Sequence, residues 1–236
     1  MRLTPSKFRS VKNPPLTNTA ETVVAPRRRK GRPSALDPNV GQEKIIATTT
    51  ALLKKYRPAE LTQNLIAAKA SIDPKLIRYY FGDLDGLLTI VLERLIDGLG
   101  VVMAKASTAG GTPTDRMRSR IVALTRYVVA NPNLWPMISE RVYASDSKWA
   151  KTVRLDLTKS AYVRLLAVVE DGQKQGEFST NFDPRLLYVA LLGLSEIFVT
   201  AKAIIEELIP GSRSEAEKIY VDFVVNLVMH GIAPHD

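Results

Sequence analysis

The chain contains no cysteine and only two histidines among its 236 residues. Without thiols it can form no disulfide bond, no thiolate metal site and no cysteine nucleophile. The histidines, His230 and His235, lie near the C-terminus, where they support neither a metal cluster nor a Ser-His-Asp arrangement. We therefore expect no catalytic residues, no metal site, no cofactor and no enzyme activity.

Long apolar runs are also lacking. No stretch reaches the roughly eighteen apolar residues of a membrane span, and the N-terminus has no apolar core of the signal-peptide kind. Hydrophobic residues make up 45% and charged residues 24%, which is typical of a globular protein. We expect a soluble, cytoplasmic protein that does not contact a membrane.

The net charge of +9 is unevenly distributed. Residues 1–41 hold nine basic and two acidic residues, and residues 42–84 hold seven and four. The remaining 152 residues, 85–236, are nearly neutral, with 17 basic and 18 acidic residues. A positive field in the first third of the chain favours a polyanionic partner such as DNA, although a solubilising tail would carry the same charge.

Residues 1–41 are rich in proline and show no helical periodicity, so we predict a flexible basic arm. The arm contains one dense basic cluster: Arg27, Arg28, Arg29, Lys30 and Arg32. With Gly31 and Pro33 this cluster forms a narrow extended strip that resembles an AT-hook and could lay Arg32 in the minor groove. A simple electrostatic tether explains it equally well, and the residues also match a nuclear-localisation signal.

From residue 42 the apolar pattern becomes helical and predicts a helix-turn-helix domain over residues 42–100, with its motif at about 62–81. Thr62 is placed to cap the second helix, and Ser71 begins a tight turn. Asp73 and Pro74 form a strong start signal for the third helix, which stops at Gly82.

The rest of the chain also has helical periodicity, and no strand pattern of useful length occurs. The predicted helices are 84–105, 114–131, 134–144, 147–175, 184–209 and 213–231. We therefore predict an all-α protein: an N-terminal three-helix helix-turn-helix domain, followed over residues 101–236 by a helical bundle.

The segment from Leu61 to Phe81, together with Leu87 and Leu88, resembles the TetR family of bacterial transcription regulators. In that family a Thr opens helix 2, Ile-Ala-x-x-Ala fills it, and Leu-Tyr-x-Tyr-Phe occupies the recognition helix. The resemblance covers about residues 42–100. It implies a DNA-binding dimer with a C-terminal effector domain and no enzymatic role.

Three positions depart from the family pattern. Ser71 replaces the usual turn glycine, so the turn must accommodate a Cβ. Arg78 replaces the first tyrosine of the recognition-helix run, which keeps a phosphate contact chemically possible. Leu84 stands where the family has a lysine at the start of helix 4, and the basic arm would compensate for that lost contact.

Helical geometry turns Ile77 inward and predicts an outward face on the third helix. We expect DNA contacts from Thr62, Lys75, Leu76, Arg78, Tyr79 and Tyr80. Thr62 would donate to a phosphate, Leu76 would touch a thymine methyl, and the Tyr80 hydroxyl would reach a phosphate from a largely inward position. The alternative is that these are ordinary surface and capping residues.

Two C-terminal helices carry the dimerisation hypothesis. The expected interface residues are Leu187, Leu191, Leu194 and Phe198 in one helix and Ile219, Phe223 and Leu227 in the last. The first of these helices is apolar nearly all round, with Val189 and Ile197 on its opposite side. A helix buried in the core of a monomer would show the same pattern.

Candidate effector-binding residues are aromatic or polar side chains of the predicted bundle. They are Tyr127, Trp135, Tyr143, Tyr162, Glu196 and Phe198, with Arg120 as a further polar anchor. Aromatic residues at helical spacing are equally expected of a simple core.

The sequence thus predicts a regulator that binds double-stranded DNA sequence-specifically. We expect a homodimeric repressor on a near-palindromic operator, released by a small-molecule effector. The alternative is an architectural nucleic-acid binder driven by the basic arm. An all-α enzyme lacks any set of acid, base, nucleophile and metal ligands.

Overall fold

The structure is a computed structural model that describes residues 38–234, which contain eleven α-helices and no strand. The helices are α1 Pro38–Leu52, α2 Gln63–Ala70, α3 Lys75–Phe81, α4 Leu84–Ser107, α5 Pro113–Ala130, α6 Leu134–Ile138, α7 Lys148–Asp156, α8 Tyr162–Lys174, α9 Pro184–Thr200, α10 Lys202–Leu208 and α11 Arg213–Ile232. The all-α prediction is confirmed. The basic cluster at 27–32 lies outside the described residues.

Several helices begin where the sequence supplies a capping side chain. Thr62 Oγ1 accepts a hydrogen bond from the Leu65 N–H at 3.1 Å, and Asp83 Oδ1 accepts from Gly86 at 2.7 Å. Ser212 caps α11 through a reciprocal pair with Glu215. These bonds satisfy N–H groups that a helix start leaves without partners, so they fix where each helix begins.

The first three helices enclose a small core with the beginning of α4. Ile45, Ile66 and Ile77 are each fully buried, and they belong to the same apolar cluster as Leu87 and Val91 of α4. Because each short helix contributes one such residue, none of the three could bury its apolar side alone.

The second half of α4 packs against α5, which also contacts α8, α9 and α11. Met117, Ile121 and Val128 of α5 are buried at 0–1% exposure and lie at the centre of this bundle. Because α4 is continuous from Leu84 to Ser107, it crosses the predicted domain boundary at residue 100. The boundary itself stays a prediction.

Three predicted helices are wrong in detail. The segment 134–144 is α6 followed by a π-helical turn, Ser139–Tyr143, and the segment 147–175 is α7 and α8 joined by a second π-helical turn, Leu157–Ala161. The segment 184–209 is broken at Ala201 into α9 and α10, which are bent by 79°. Neither π-helical turn contains a glycine or proline, and none stands at Ala201, so no breaker residue marks these sites.

No single helix between residues 38 and 234 is long and apolar enough to cross a membrane. The bent pair of α9 and α10 passes the same test by length and composition only.

The turn between α2 and α3 places a serine in the left-handed region. Ser71 has φ 52° and ψ 54°, and the N–H of Ile72 bonds back to the carbonyl of Ala67 at 3.0 Å. This closes the helix end in the manner for which glycine is usually used. The side chain makes the conformation costly.

We expect Ser71→Gly to raise the free energy of unfolding by about 0.5–1 kcal/mol, because removal of the Cβ strain exceeds the added entropy of the unfolded glycine. Urea unfolding of the purified chain measures this. Ser71→Ala keeps the Cβ and is the control, with no comparable gain expected. A glycine variant that is less stable than the alanine variant would contradict the assignment of strain.

Candidate functional site

The third helix has one side buried and one side open. Ile77 is fully buried, whereas Lys75 and Arg78 are exposed and Tyr79 is 77% exposed. The rings of Tyr79 and Tyr80 meet edge to face at 5.0 Å between centroids. Lysine, arginine and tyrosine thus project together from one short helix, as contact with a DNA groove requires.

Two predicted contact residues are partly buried, and of these only Leu76 was expected to project outward. Leu76 is partly buried and packs against the core, so the expectation of a fully outward side chain is wrong. Tyr80 is also partly buried and covers the first turn of α1, where a Cβ on Gly41 would lie 3.0 Å from its hydroxyl oxygen. Thr62 is exposed, and its oxygen accepts from Leu65, which leaves its hydroxyl hydrogen free to donate.

The acidic residues of segment 42–84 either form ion pairs or cap helices. Glu43 pairs with Arg94 at 2.7 Å and Glu60 with Arg57 at 3.7 Å, while Asp73 and Asp83 accept backbone N–H groups at helix starts. The basic residues of 42–84 are all exposed: Lys44, Lys54, Lys55, Arg57, Lys69, Lys75 and Arg78.

Of these, Lys69, Lys75 and Arg78 form no ion pair with any residue that the structure describes. As helix caps, Asp73 and Asp83 keep their negative charge, so the four acidic residues of 42–84 offset only part of the seven basic ones. The surface of α2 and α3 therefore carries a net positive charge, from Lys69, Lys75 and Arg78 against Asp73.

A cavity of about 200 Å³ lies in the bundle, between the second half of α4 and α5 to α9. Much of its wall is apolar and includes Leu99, Met103, Leu124, Ile138 and Leu191. Both π-helical turns border it, the first through Tyr143 and the second through Leu157 and Thr158. Such turns commonly interrupt helices at functional sites.

The polar part of the wall is dominated by arginine. Arg120, Arg154 and Arg164 border the cavity with one acidic residue, Asp156, in the lining contributed by residues 38–234. Burial, and then the nearby charge of Arg164, lower the pKa of Arg120 to about 10. Arg120 therefore remains a cation at neutral pH.

Tyr188 closes the same side of the cavity. Its hydroxyl donates to the Leu157 carbonyl at 2.9 Å, and burial is the main cause that raises its pKa to about 12. The phenol is therefore neutral at physiological pH and does not compensate the arginines. Burial, and then the charge of Glu196, also raise the pKa of Tyr143.

The predicted effector residues divide into two groups. Trp135 and Tyr143 line the cavity, but four others do not, and for these the prediction of a pocket position is wrong: Tyr127, Tyr162, Glu196 and Phe198. The Tyr127 hydroxyl donates to the Leu95 carbonyl at 2.7 Å, and Phe198 packs on Tyr220 at 4.8 Å. Tyr162 lies behind Tyr188, with centroids 6.0 Å apart.

Sequence reasoning missed Arg154, Arg164 and Tyr188. A signal for Arg164 existed, because it falls between Ala161 and Leu165 on the inward side of its helix. Arg120 was predicted as a polar anchor and does line the cavity; it stands next to Ile121 and three residues after Met117, on an apolar stripe where a charge is unexpected.

One short segment touches both the cavity and the end of α1. Trp135 and Ile138 of α6 line the cavity, while the side chain of Asn133, just before α6, donates to the carbonyls of Leu53 at 2.6 Å and Tyr56 at 2.9 Å. These two bonds attach the start of α6 to the residues that directly follow α1.

The same segment also reaches α4. Arg141 donates to Asp85 Oδ1 at 2.7 Å, in the first turn of α4. These contacts would transmit a displacement of the cavity wall to both α1 and α4.

The predicted dimer residues of α9 face the core of the subunit rather than its surface. Leu191 and Phe198 are buried in the subunit at 6% and 3% exposure, and Leu187 and Leu194 are partly buried. The exposed apolar side chains of α9 are instead Leu186, Val189 and Ile197, at 68%, 63% and 48%. On α11, the predicted residues Ile219, Phe223 and Leu227 are exposed at 54%, 57% and 50%.

Among residues 38–234, no group of three or more His, Asp or Glu side chains is arranged to hold a metal ion.

Comparison with known proteins gives a consistent picture. Residues 113–228 match the family described as tetracyclin repressor-like, C-terminal domain. Over 81 residues the chain is 31% identical to the HTH-type transcriptional regulator BetI of Stenotrophomonas maltophilia (strain R551-3). That match covers 34% of this chain and 41% of the relative, so it spans less than half of the relative's length.

Solved structures share the fold at low identity. The ketosteroid transcriptional regulator KstR2 of Mycobacterium tuberculosis is 16% identical, with a TM-score of 0.62 over 82% of this chain and 95% of that one. A bacterial regulatory protein of the TetR family from Rhodococcus RHA1 is also 16% identical, with a TM-score of 0.65 over 83% and 98%. At this identity the likeness shows the fold alone.

Proposed function

Since this chain belongs to the TetR family of DNA-binding transcription regulators, we propose that it represses transcription as a homodimer on a near-palindromic operator and leaves the DNA when a small molecule fills its cavity. The observation that carries the proposal is the exposed side of α3, where Lys75, Arg78 and Tyr79 project from a helix held by Ile77. The protein would act in the cytoplasm, where bacterial DNA lies.

The groove contact is supported by charge as well as by shape. Lys75 and Arg78 are exposed and have no carboxylate partner among residues 38–234, so binding to phosphates would not require an existing pair to break. Tyr79, four residues after Lys75 on the same helix, adds a flat, largely exposed ring beside it. Thr62 can donate to a phosphate from the N-terminus of α2.

We expect Arg78→Ala and Lys75→Ala each to weaken binding to a mixed-sequence duplex. Each change should reduce the slope of log affinity against log salt by about 1 per bound subunit, because one phosphate contact is lost. Fluorescence anisotropy of a labelled duplex between 50 and 200 mM salt, roughly the range over which such contacts weaken, measures both quantities.

Arg126→Ala is the matched control, because Arg126 is an exposed arginine of α5, outside the three DNA-binding helices. Its affinity and salt slope should equal those of the parent chain. Equal slopes for the parent and for both α3 variants would contradict the placement of α3 at the DNA.

The homodimer is supported by an apolar surface shared by α9 and α11. Leu186, Val189 and Ile197 on α9 and Phe223 and Leu227 on α11 are each about half or more exposed. An apolar surface of this kind is typical of an interface between subunits. A two-fold pair would hold two recognition helices roughly 34–36 Å apart, the separation of successive major grooves.

We expect Phe223→Asp to convert the protein to a monomer, because a carboxylate in an apolar interface loses its hydration without gaining a partner. Sedimentation equilibrium gives the mass, and circular dichroism verifies that the helices persist. Val101→Asp alters another exposed apolar residue, at 70% exposure on α4, and should remain dimeric. A Phe223→Asp variant that sediments as a dimer would rule out this interface.

Effector release is supported by the elements that the cavity shares with the DNA-binding helices. Leu99 and Met103 of α4 line the cavity, and the same helix begins directly after α3. Asn133 and Arg141 give a second connection, to α1 and to the start of α4. A ligand that binds one arrangement of these contacts more tightly would shift the spacing of the two recognition helices.

A further inference from the structure

The cavity contains a buried cation, Arg120, that forms no ion pair with any residue between 38 and 234. Arg120 is 4% exposed; one of its terminal nitrogens donates to Ser107 Oγ, and its Nε has no partner among residues 38–234. Arg164 borders the same cavity, and its Nε is likewise buried without a partner there. Buried charged groups are normally paired, so each of these needs an explanation.

The other polar groups of the wall do not supply the missing charge. Asp156 accepts from Ser160 Oγ at 2.6 Å and forms no ion pair with a described residue. Tyr188 is a neutral phenol at physiological pH because its pKa is about 12. Arg154 differs from the other two arginines, because it donates to the backbone carbonyls of Val142 and Ser145.

The two unpaired arginines lie where the cavity approaches the surface. Arg164 and Ser107 also border a second, more open groove of about 380 Å³, between α4, α5 and α8. Arg120 reaches this boundary through its bond to Ser107. Away from it the cavity wall includes Leu99, Leu124 and the buried Trp135, whose Nε1 also lacks a partner in the described structure.

We propose that the cavity binds an amphipathic organic anion, whose carboxylate or phosphate is held by Arg120 and Arg164 and whose apolar body lies against Leu99, Leu124 and Trp135. This inference rests on the proposed function only in identifying the ligand as the effector. Arginine presents a planar fork of donors that matches both anionic groups, so the arginines define the anion and the apolar wall defines the body.

Isothermal titration of the full chain, without DNA, with octanoate, octyl phosphate and octanamide tests the chemistry. The three probes share an alkyl chain and differ in charge. We expect one or both anions to bind at least about tenfold more tightly than the amide, because hydrogen bonds to charged groups are the stronger ones. The tighter of the two anions identifies the head group as carboxylate or phosphate. Equal binding of octanamide and both anions overturns the proposal.

Substitutions of the two cavity arginines test where the anion binds. Arg120→Met keeps an unbranched apolar stem but removes the guanidinium, and it should lower the affinity for the better anion by about ten- to a hundredfold while leaving the affinity for octanamide unchanged. Arg164→Met should act in the same direction, and it keeps the test valid if Arg120→Met does not fold. Arg126→Met, at an exposed position of the same helix as Arg120, should bind like the parent. Unchanged anion affinity in both cavity variants overturns the proposal.

The proposed regulator function and the proposed anion site can be contradicted independently of each other. If the chain binds a selected DNA sequence but neither anion, the ligand class is wrong and the regulator stands. If an anion binds with the expected dependence on Arg120 but leaves DNA affinity unchanged at saturation, the anion site stands and the effector role is wrong.

Discussion

The burial of Ile77 against α4 is the contact on which the DNA-binding surface depends. With this side chain fully buried, helical geometry leaves Lys75, Arg78 and Tyr79 on the open side of α3. The helix has only seven residues, too few to be stable alone, so its orientation is set by this packing rather than by its own backbone. The exposed surface of α3 therefore keeps its orientation only while α4 stays in place beneath it.

The same α4 connects that surface to the cavity. Leu87 and Val91 near its start pack under α3, and Leu99 and Met103, two to three turns later, line the cavity. The DNA-binding surface and the cavity thus share one continuous helix, which is a physical route for coupling between them. The proposed preference of the cavity is for an anion, which would supply the negative charge that Arg120 and Arg164 do not find among the described residues.

Helix starts were the features predicted most accurately from the sequence, because capping residues next to each start determine them. Thr62, Asp73 and Pro74 mark helix starts by their own chemistry, and the helix-turn-helix follows from them. The exposed side of α9 could not be predicted in this way, because that helix is apolar nearly all round and periodicity does not select one side. The break at Ala201 carries no glycine or proline, and Arg120 and Arg164 meet only after α5 and α8 pack together.

The central claim is that a symmetric pair of α3 helices distinguishes one DNA sequence from another. Selection of bound molecules from a pool of random duplex DNA, with the purified chain at physiological salt, tests it most directly. The account predicts a two-fold symmetric consensus whose half-sites are centred about one helical turn apart. Enrichment of no consensus, or of a single half-site without its mirror image, would contradict it.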